Sequence, residues 1–266
     1  MAKRKGYSKR SDVPPEIVQQ LSRGQGASQT LAESLVVRHS VLLGELCETI
    51  PNSQREAVDG YEGILAKMRA GAELLVRYGG EKLLAATMDS PSDTALGYVA
   101  FAYGLTGEAA GPLADWTLTR RLAAVRPLAE HAHYGVREWA WLGIRSCAAA
   151  EIELALVLLS PWTGEASAGL RRFASELTRP RGVWCKRIPE LVASPQMGLT
   201  VLKPLRADPE KYVQLSVGNW LNDASKDNPD WVRSIAAEWN SKKATAASRA
   251  ATAAILKRGL RTLADR

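Results

Sequence analysis

The stretch from Asp208 to Trp231 shows most clearly how this chain is organised, and it reads DPEKYVQLSVGNWLNDASKDNPDW. If it folds as a helix, one face is apolar and another carries amide and carboxylate groups. The apolar face consists of Val213, Val217, Trp220 and Ala224, and the polar face of Ser216, Asn219, Asn222, Asp223 and Lys226. The sequence therefore predicts a helix with a core side and an unusual polar side.

Both ends of this predicted helix carry recognisable signals. Asp208-Pro209 is typical of a helix start and Asn228-Pro229 of a helix stop. An ordinary surface helix would carry Lys and Glu on its polar side, whereas Asn and Asp are poor helix formers. We interpret the polar side as a ligand-facing surface.

Helical periodicity extends over almost the whole chain from Thr30 onward, without the alternation of strands. Four segments share the pattern of a turn followed by a short amphipathic helix, and their starts are separated by 41, 34 and 43 residues: ALGYVAF from Ala95, VREWAWL from Val136, LRRFASE from Leu170 and VQLSVGN from Val213. This spacing matches the roughly 40-residue period of HEAT-like helix pairs, whose stacking leaves one concave face. The predicted fold is an all-α, HEAT-like repeat α-solenoid.

Composition and charge narrow the class of protein. Hydrophobic residues make up 46% of the 266 residues, enough for a sizeable core, and the formal net charge of +7 favours an acidic partner. No apolar run approaches the roughly 20 residues of a membrane span. Three widely separated cysteines indicate reduced thiols in the cytoplasm. Residues 1–12 are predicted to be a disordered basic arm, followed by a single domain over residues 13–266.

A cluster of basic residues lies in the segment LRRFASELTRPRGVWCKR, in which Glu176 is the single acid. Arg172, Glu176 and Arg179 share one helical face, and Pro180 ends the helix. Arginine suits phosphate contacts, and an exposed tryptophan offers a surface on which a base can stack. We therefore predict a phosphate-binding face, with Trp184 as the stacking residue and Glu176 ionised. The further basic residues considered as phosphate contacts are Arg181 and Lys226.

Three carboxylates, Glu138, Glu176 and Asp223, fall one in each of three successive repeats. Corresponding faces of a solenoid line up along one surface. Acid in a basic groove repels phosphate, so we interpret it as stabilising a positive charge that develops during a reaction. Cleavage of a glycosidic bond passes through such an oxocarbenium-like sugar. His131 and His133 lack a third ligand, so no metal site is predicted.

The longest motifs of the chain are HYGVREWAW, RRFASELTRPRGVW and YVQLSVGNWLNDASKDNPDW, joined by the early TLAESLVVRHSVLL and the late AAILKRGLRTL. These motifs resemble the bacterial DNA alkylation repair glycosylases of the AlkC and AlkD superfamily, and the AlkC branch most of all. The resemblance implies a HEAT-like solenoid with a concave DNA-binding face. Some proteins of this branch carry a C-terminal immunoglobulin-like domain, and we expect none in this chain.

The resemblance also implies that the protein is a monofunctional glycosylase of base excision repair. Such an enzyme releases cationic N3-alkylated bases, such as 3-methyladenine and 3-methylcytosine, without a cofactor or metal. The family's catalytic glutamate falls on Glu138 and its supporting acids on Glu176 and Asp223. Its DNA-contacting arginines fall on Arg172 and Arg179, and its lesion-side tryptophan on Trp184. Asn219 and Asn222 are placed to orient Asp223, water or the DNA strand.

The expected partner is alkylated double-stranded DNA, bound by a monomer in the cytoplasm at the nucleoid. Two alternatives stay open at this stage. A HEAT-like module that binds DNA or protein without catalysis would share the fold, and so would a glycosylase specialised for bulky alkyl adducts.

Overall fold

The computed structural model describes residues 4–240 and 245–264. Within those ranges every regular element is a helix, which confirms the predicted all-α fold. Contacts group the chain into two compact units, Met1–Ile144 and Arg145–Arg266, and the single domain predicted over residues 13–266 stays a prediction. None of the described helices is both long and apolar enough to cross a membrane.

The first unit contains seven α-helices, the start of an eighth and two short 3-10 helices. They are α1 (Pro15–Ser22), α2 (Leu31–Ser34), α3 (His39–Leu46), α4 (Asn52–Gly60), α5 (Ile64–Thr87), α6 (Asp93–Tyr103), α7 (Leu118–Ala129) and α8 (Tyr134–Ala150), with 3-10 helices at Arg10–Asp12 and Gly107–Leu113. Helix α8 continues into the second unit. Helix α6 is the core of the first unit, because every one of its residues is buried and both α5 and α7 pack against it.

The second unit is built from the remaining helices around α13. They are α9 (Ile152–Leu159), α10 (Ala168–Leu177), α11 (Pro189–Ala193), α12 (Leu199–Leu205), α13 (Lys211–Ala224), α14 (Pro229–Trp239), α15 (Ala246–Gly259) and α16 (Arg261–Ala264), with 3-10 helices at Ser160–Gly164 and Pro195–Gly198. Helix α13 packs against α10, α12, α14 and α15. Its Trp220 is completely buried, which confirms the core side predicted for this helix.

The predicted repeats are visible in a recurring side-chain contact. The four repeated segments lie in α6, α8, α10 and α13. In the last three segments, the second residue of the segment donates to two backbone carbonyls. These carbonyls lie five and six residues earlier, in the loop that precedes the helix. These residues are Arg137, Arg171 and Gln214. Equivalent positions therefore make equivalent contacts, which supports the repeat register read from the sequence.

Part of the predicted basic arm differs from the expectation of disorder. The guanidinium of Arg4 donates to both oxygens of the buried Glu33 carboxylate, at 2.8 Å each. The same carboxylate accepts from the backbone N–H of Tyr7. Local sequence patterns could not indicate this contact, because the acceptor lies 29 residues away. Met1–Lys3 lie outside the described residues.

The ends of α13 differ from the predicted start and stop. The helix begins at Lys211 rather than at Pro209, because Asp208 accepts a hydrogen bond from the backbone N–H of Glu210 and also holds Arg171. It ends at Ala224, and Pro229 opens α14 instead of closing α13. The Asp-Pro pair thus lies in the loop before α13, and the Asn-Pro pair marks the start of α14.

Helices α6 and α8 cross so closely in the first unit that glycine is required. A Cβ at Gly143 would overlap the backbone of Ala100 and Phe101, and one at Gly104 would overlap the backbone of Gly143. Backbone cannot move aside as a flexible side chain can, so this approach fixes how the two helices pack.

We predict that Gly143→Ala destabilises the protein by about 2 kcal/mol or more, since overpacking in a rigid core costs roughly 1–3 kcal/mol. The measurement is urea unfolding followed by circular dichroism. Gly60→Ala at the end of α4 is the control, because nothing lies within 4 Å of a Cβ there. Equal unfolding midpoints for the two variants would contradict the close crossing.

Candidate functional site

The centre of the second unit is an arginine held between two buried carboxylates. Arg179, two residues beyond the end of α10, donates from Nη1 to Oε1 of Glu176 at 2.6 Å and from Nε to Oδ2 of Asp223 at 2.8 Å. Its side chain is only 8% exposed. Because Glu176 belongs to α10 and Asp223 to α13, this guanidinium ties the two helices together.

The remaining acceptor positions of Glu176 are also occupied. Its Oε2 accepts from the hydroxyl of Ser216 at 2.6 Å, and Arg172 lies 3.5 Å from the same oxygen. Ser216 in turn shares a hydrogen bond with Ser175. Arg172 also lies over the ring of Tyr212, with its guanidinium carbon 4.3 Å from the ring centroid. Glu176 is thus compensated in charge and in hydrogen bonding.

The pKa shifts of the two acids that share Arg179 have opposite directions. Burial raises the pKa of Glu176, but the charges of Arg172 and Arg179 and the hydrogen bond from Ser216 lower this pKa further than burial raises it. Glu176 is therefore ionised, as the sequence indicated. For Asp223, burial outweighs Arg179 and Lys226, so the pKa of this carboxyl is raised.

The loop after α10 is held by a buried arginine whose role sequence reasoning missed. Arg145 donates to the backbone carbonyls of Leu177 and Arg179 at 2.6 Å each, and to that of Lys186 at 3.2 Å. Trp220 donates to the carbonyl of Thr178. The available signal was an arginine in the middle of the apolar run WLGIRSC, where a charged side chain needs buried acceptors.

This fixed loop presents Trp184 to solvent. Its side chain is 56% exposed, and its backbone has a φ of 65°, a conformation that non-glycine residues rarely adopt. Such strain persists only where surrounding contacts impose it. The exposure agrees with the prediction of a surface on which a base could stack.

The arginines predicted to contact DNA are paired with acids, which differs from the open cationic face expected from the sequence. Arg179 is shared by Glu176 and Asp223, Arg172 lies against Glu176, and Arg181 makes a double hydrogen bond to Asp227. The segment contains a single acid, but Asp223 and Asp227 arrive from more than 40 residues later in the chain. Local charge counting could not include them.

The amide side of α13 is covered rather than open. Asn222 is buried, donates to the hydroxyl of Thr262 and accepts from Arg261. Asn219 accepts from Nε of Arg258 at 2.7 Å. The expectation that this side meets a ligand directly is therefore wrong for Asn222, because α15 and α16 pack on it. Lys226 keeps a side-chain exposure of 39% and lies 3.6 Å from Asp223.

Glu138 lies in the first unit, on α8, and is half-buried. Its Oε2 accepts a hydrogen bond from Nε1 of the buried Trp141 at 2.8 Å. This contact confirms the predicted neighbourhood of Glu138 and Trp141. The indole N–H thus helps to orient the carboxylate of Glu138.

Histidine and cysteine take no part in a cluster that could hold a metal within the described ranges, where no three His, Cys, Asp or Glu side chains converge suitably. His131 accepts from the backbone N–H of His133, and the ring of His133 contacts the carbonyl of Ser28. The three cysteines form no disulfide among themselves.

Fold and site together define a helical-repeat protein with a buried centre of two acids and one arginine. Residues 138–255 match the model of the DNA alkylation repair enzyme family, so this region carries both Glu138 and the buried centre. The match covers less than half of this chain and agrees with the resemblance to DNA alkylation repair enzymes seen in the sequence motifs.

Two solved structures share the fold. The alkylpurine DNA glycosylase AlkC of Pseudomonas fluorescens, bound to DNA containing an abasic site analog, superposes with a TM-score of 0.66 at 21% identity, over 97% of this chain and 66% of its own. The protein smu.31 of Streptococcus mutans UA159 superposes with a TM-score of 0.56 at 22% identity, over 74% of this chain and 92% of its own.

A curated relative extends the similarity at the sequence level. The uncharacterized protein YhaZ of Bacillus subtilis (strain 168) is 34% identical over 116 residues. That stretch is 44% of this chain and 32% of YhaZ, so the match spans about a third of the relative's length.

We predict that Arg179→Ala destabilises the protein by about 3–5 kcal/mol, because it leaves two buried carboxylates without their cation. The control is Arg181→Ala, which breaks a pair whose partners are 21% and 26% exposed and is expected to cost about 1 kcal/mol or less. Urea unfolding of both variants measures the difference. A loss for Arg179→Ala no larger than that of the control would exclude Arg179 as the tie between α10 and α13.

The lowered pKa of Glu176 predicts a pH-dependent stability. A carboxylate with a lowered folded pKa stabilises the protein above its unfolded pKa of about 4.3, and this contribution is lost as the pH falls through the folded value. The free energy of unfolding of wild type should therefore exceed that of Glu176→Gln most at neutral pH, with a difference that shrinks below about pH 4. The control is Glu153→Gln, which replaces an exposed carboxylate without an ion pair among the described residues. A difference that grows on acidification would contradict the assignment.

Proposed function

We propose that this protein is a DNA glycosylase that releases alkylated bases by hydrolysing the N-glycosidic bond. The observation that carries the proposal is the family match over residues 138–255, which contains Glu138 together with the buried centre of Glu176, Arg179 and Asp223. The fold of AlkC supports it, since that protein is described as bound to DNA with an abasic site analog. An abasic site is what base release leaves behind.

The proposed substrates are cationic N3-alkylated bases, such as 3-methyladenine and 3-methylcytosine. A base that is already cationic leaves without receiving a proton, so no general acid is needed. The enzyme has to stabilise the oxocarbenium-like sugar and to orient a water molecule, and carboxylates can do both. We expect the reaction to need neither metal nor cofactor.

Glu138 is proposed as the catalytic carboxylate. Its half-buried carboxylate is oriented by the indole N–H of Trp141, and an oriented carboxylate can stabilise a cationic sugar. Glu176 and Asp223 are proposed as positioning residues, because Arg179 already compensates their charge. Through that arginine they would hold the loop that carries Trp184.

The proposed partner is alkylated double-stranded DNA, bound by a monomer located in the cytoplasm at the nucleoid. Of the residues assigned to DNA contact, Trp184 and Lys226 have the most accessible side chains. The other residues assigned to DNA contact already make an ion pair or a hydrogen bond within the protein, and they would act by holding the DNA-binding surface in its conformation. They are Arg172, Arg179, Arg181 and Asn219. Trp184 would stack on a base or fill the gap at the lesion.

A second candidate is a non-catalytic DNA-binding module of the same fold. The observation in its favour is that Glu176 and Asp223 are fully engaged by arginine, as in a structural ion-pair network. A glycosylase specialised for bulky adducts is the other variant of the proposal. Release of free base from a panel of methylated and bulky-adduct duplexes separates the three.

We predict that Glu138→Gln slows single-turnover release of 3-methyladenine from methylated duplex DNA by about 100-fold or more, which corresponds to loss of a strong electrostatic contribution to the transition state. The amide oxygen of glutamine can still accept from Trp141, so the change removes the charge and keeps the contact. Wild type should leave an alkali-labile abasic site without cutting the strand and without trapping by borohydride.

Glu153→Gln is the matched control, since Glu153 is exposed on α9 and forms no ion pair among the described residues. It should release base at the wild-type rate. Wild-type release by Glu138→Gln would remove Glu138 from the catalytic role, and no release by wild type from any substrate would leave the non-catalytic module as the function.

A further inference from the structure

The surface between α13, α15 and α16 carries a concentration of positive charge that the sequence did not indicate. An open groove of about 570 Å³ lies there, and we name it the C-terminal cationic groove. It is lined by Lys211, Gln214, Leu215, Ala254, Lys257, Arg258 and Arg261. Four of these seven residues are cations and none is an acid.

The two arginines of this groove are oriented by amides. Arg258 donates from Nε to the amide oxygen of Asn219 at 2.7 Å, and Arg261 donates from Nε to the amide oxygen of Asn222 at 2.9 Å. An amide fixes the direction of a guanidinium and leaves its full positive charge in place. The Nη donors of both side chains stay available for a ligand, because no other hydrogen bond holds them within the described part of the chain.

The contrast with the arginines around α10 is systematic. Arg171, Arg179 and Arg181 are each bound by at least one carboxylate. None of the four cations in the groove makes an ion pair with a carboxylate among residues 4–240 and 245–264. The groove therefore gathers positive charge that is not paired with a carboxylate of the described residues.

The electrostatic environment of Arg258 agrees with this distribution. Burial and the like charges of Arg261, Arg179 and Arg172 lower the pKa of its guanidinium, and together they outweigh the charge of Glu176, which raises this pKa. Like charges held together repel each other, and an anion placed among them relieves that repulsion. The half-exposed Leu215 adds an apolar surface beside the cations, which suits the alternation of sugar and phosphate along a nucleic acid strand.

We propose that the C-terminal cationic groove binds the phosphodiester backbone of duplex DNA, with Lys211, Lys257, Arg258 and Arg261 as the phosphate contacts. The inference rests on the proposed function for the choice of DNA as the polyanion. The proposal also explains the amide groups on α13, since Asn219 positions Arg258 and Asn222 positions Arg261. Phosphate contacts of this kind set register on the duplex and carry no sequence information.

The test is the salt dependence of binding to a fluorescent duplex with a tetrahydrofuran abasic analog. Each phosphate contact contributes roughly one unit to the slope of log affinity against log salt. Lys211→Gln with Lys257→Gln should therefore lower the slope by about two units, and both side chains are exposed, so folding is unaffected. Arg258→Gln with Arg261→Gln should do the same, and Arg258→Lys with Arg261→Lys should keep most of the slope because it keeps the charge.

The matched control is Lys203→Gln with Arg233→Gln. It also removes two positive charges from exposed positions of the same unit, but outside the groove, where Glu238 lies beside Lys203 and Asp230 beside Arg233. Its slope should equal that of wild type, and thermal unfolding should show all variants folded. An unchanged slope in the Lys211 and Lys257 variant, or an equal loss in the control, would overturn the proposal.

The salt-dependence test of the groove and the base-release assay of the proposed function can fail independently of each other. If wild type releases base but the groove variants keep the wild-type slope, the groove proposal fails and the enzymatic function stands. If wild type releases no base while the slope falls as predicted, the groove stands as a DNA-binding surface and the enzymatic function fails. A slope change with single-stranded RNA and none with duplex DNA would overturn the choice of partner.

Discussion

The second unit depends on one guanidinium shared between two buried carboxylates. Arg179 satisfies Glu176 from α10 and Asp223 from α13, so removal of any one member leaves charge buried without its partner. Buried ion networks contribute little net stability compared with apolar packing, but they accept only one arrangement of their members. The geometry of the loop after α10, including the exposed Trp184, follows from that arrangement and from the carbonyl contacts of Arg145.

The nature of the partner decides what each arginine of this unit can do. A carboxylate partner neutralises an arginine and makes it a structural tie, as for Arg171 and Arg179. An amide partner orients an arginine and leaves its charge for an external anion, as for Arg258 and Arg261. Both kinds of arginine are held by side chains of the polar side of α13, and they differ in the charge of the partner. Asparagine is a poor helix former, and its presence in α13 is explained by the need to orient Arg258 and Arg261.

The proposed chemistry needs few groups from the protein. A cationic alkylated base departs without a proton donor, so the enzyme supplies negative charge for the sugar and a rigid surface for the distorted duplex. Glu138 has an oriented and partly accessible carboxylate for the first task. The fixed loop and the cationic groove would serve the second, since positioning a large polyanion needs contacts spread along its backbone.

Local sequence patterns were enough to predict the all-α class, the repeat register and the core side of α13, because hydrophobic periodicity and segment spacing are local properties. They also predicted Glu138 beside Trp141 on one helix. Which charges lie next to a carboxylate depends on tertiary packing. Asp223 and Asp227 reach Arg179 and Arg181 from more than 40 residues away, and Asn219 reaches Arg258 across 39. Compensation of charge depends on distance in space, so no count along the chain can separate a structural arginine from one that binds an anion.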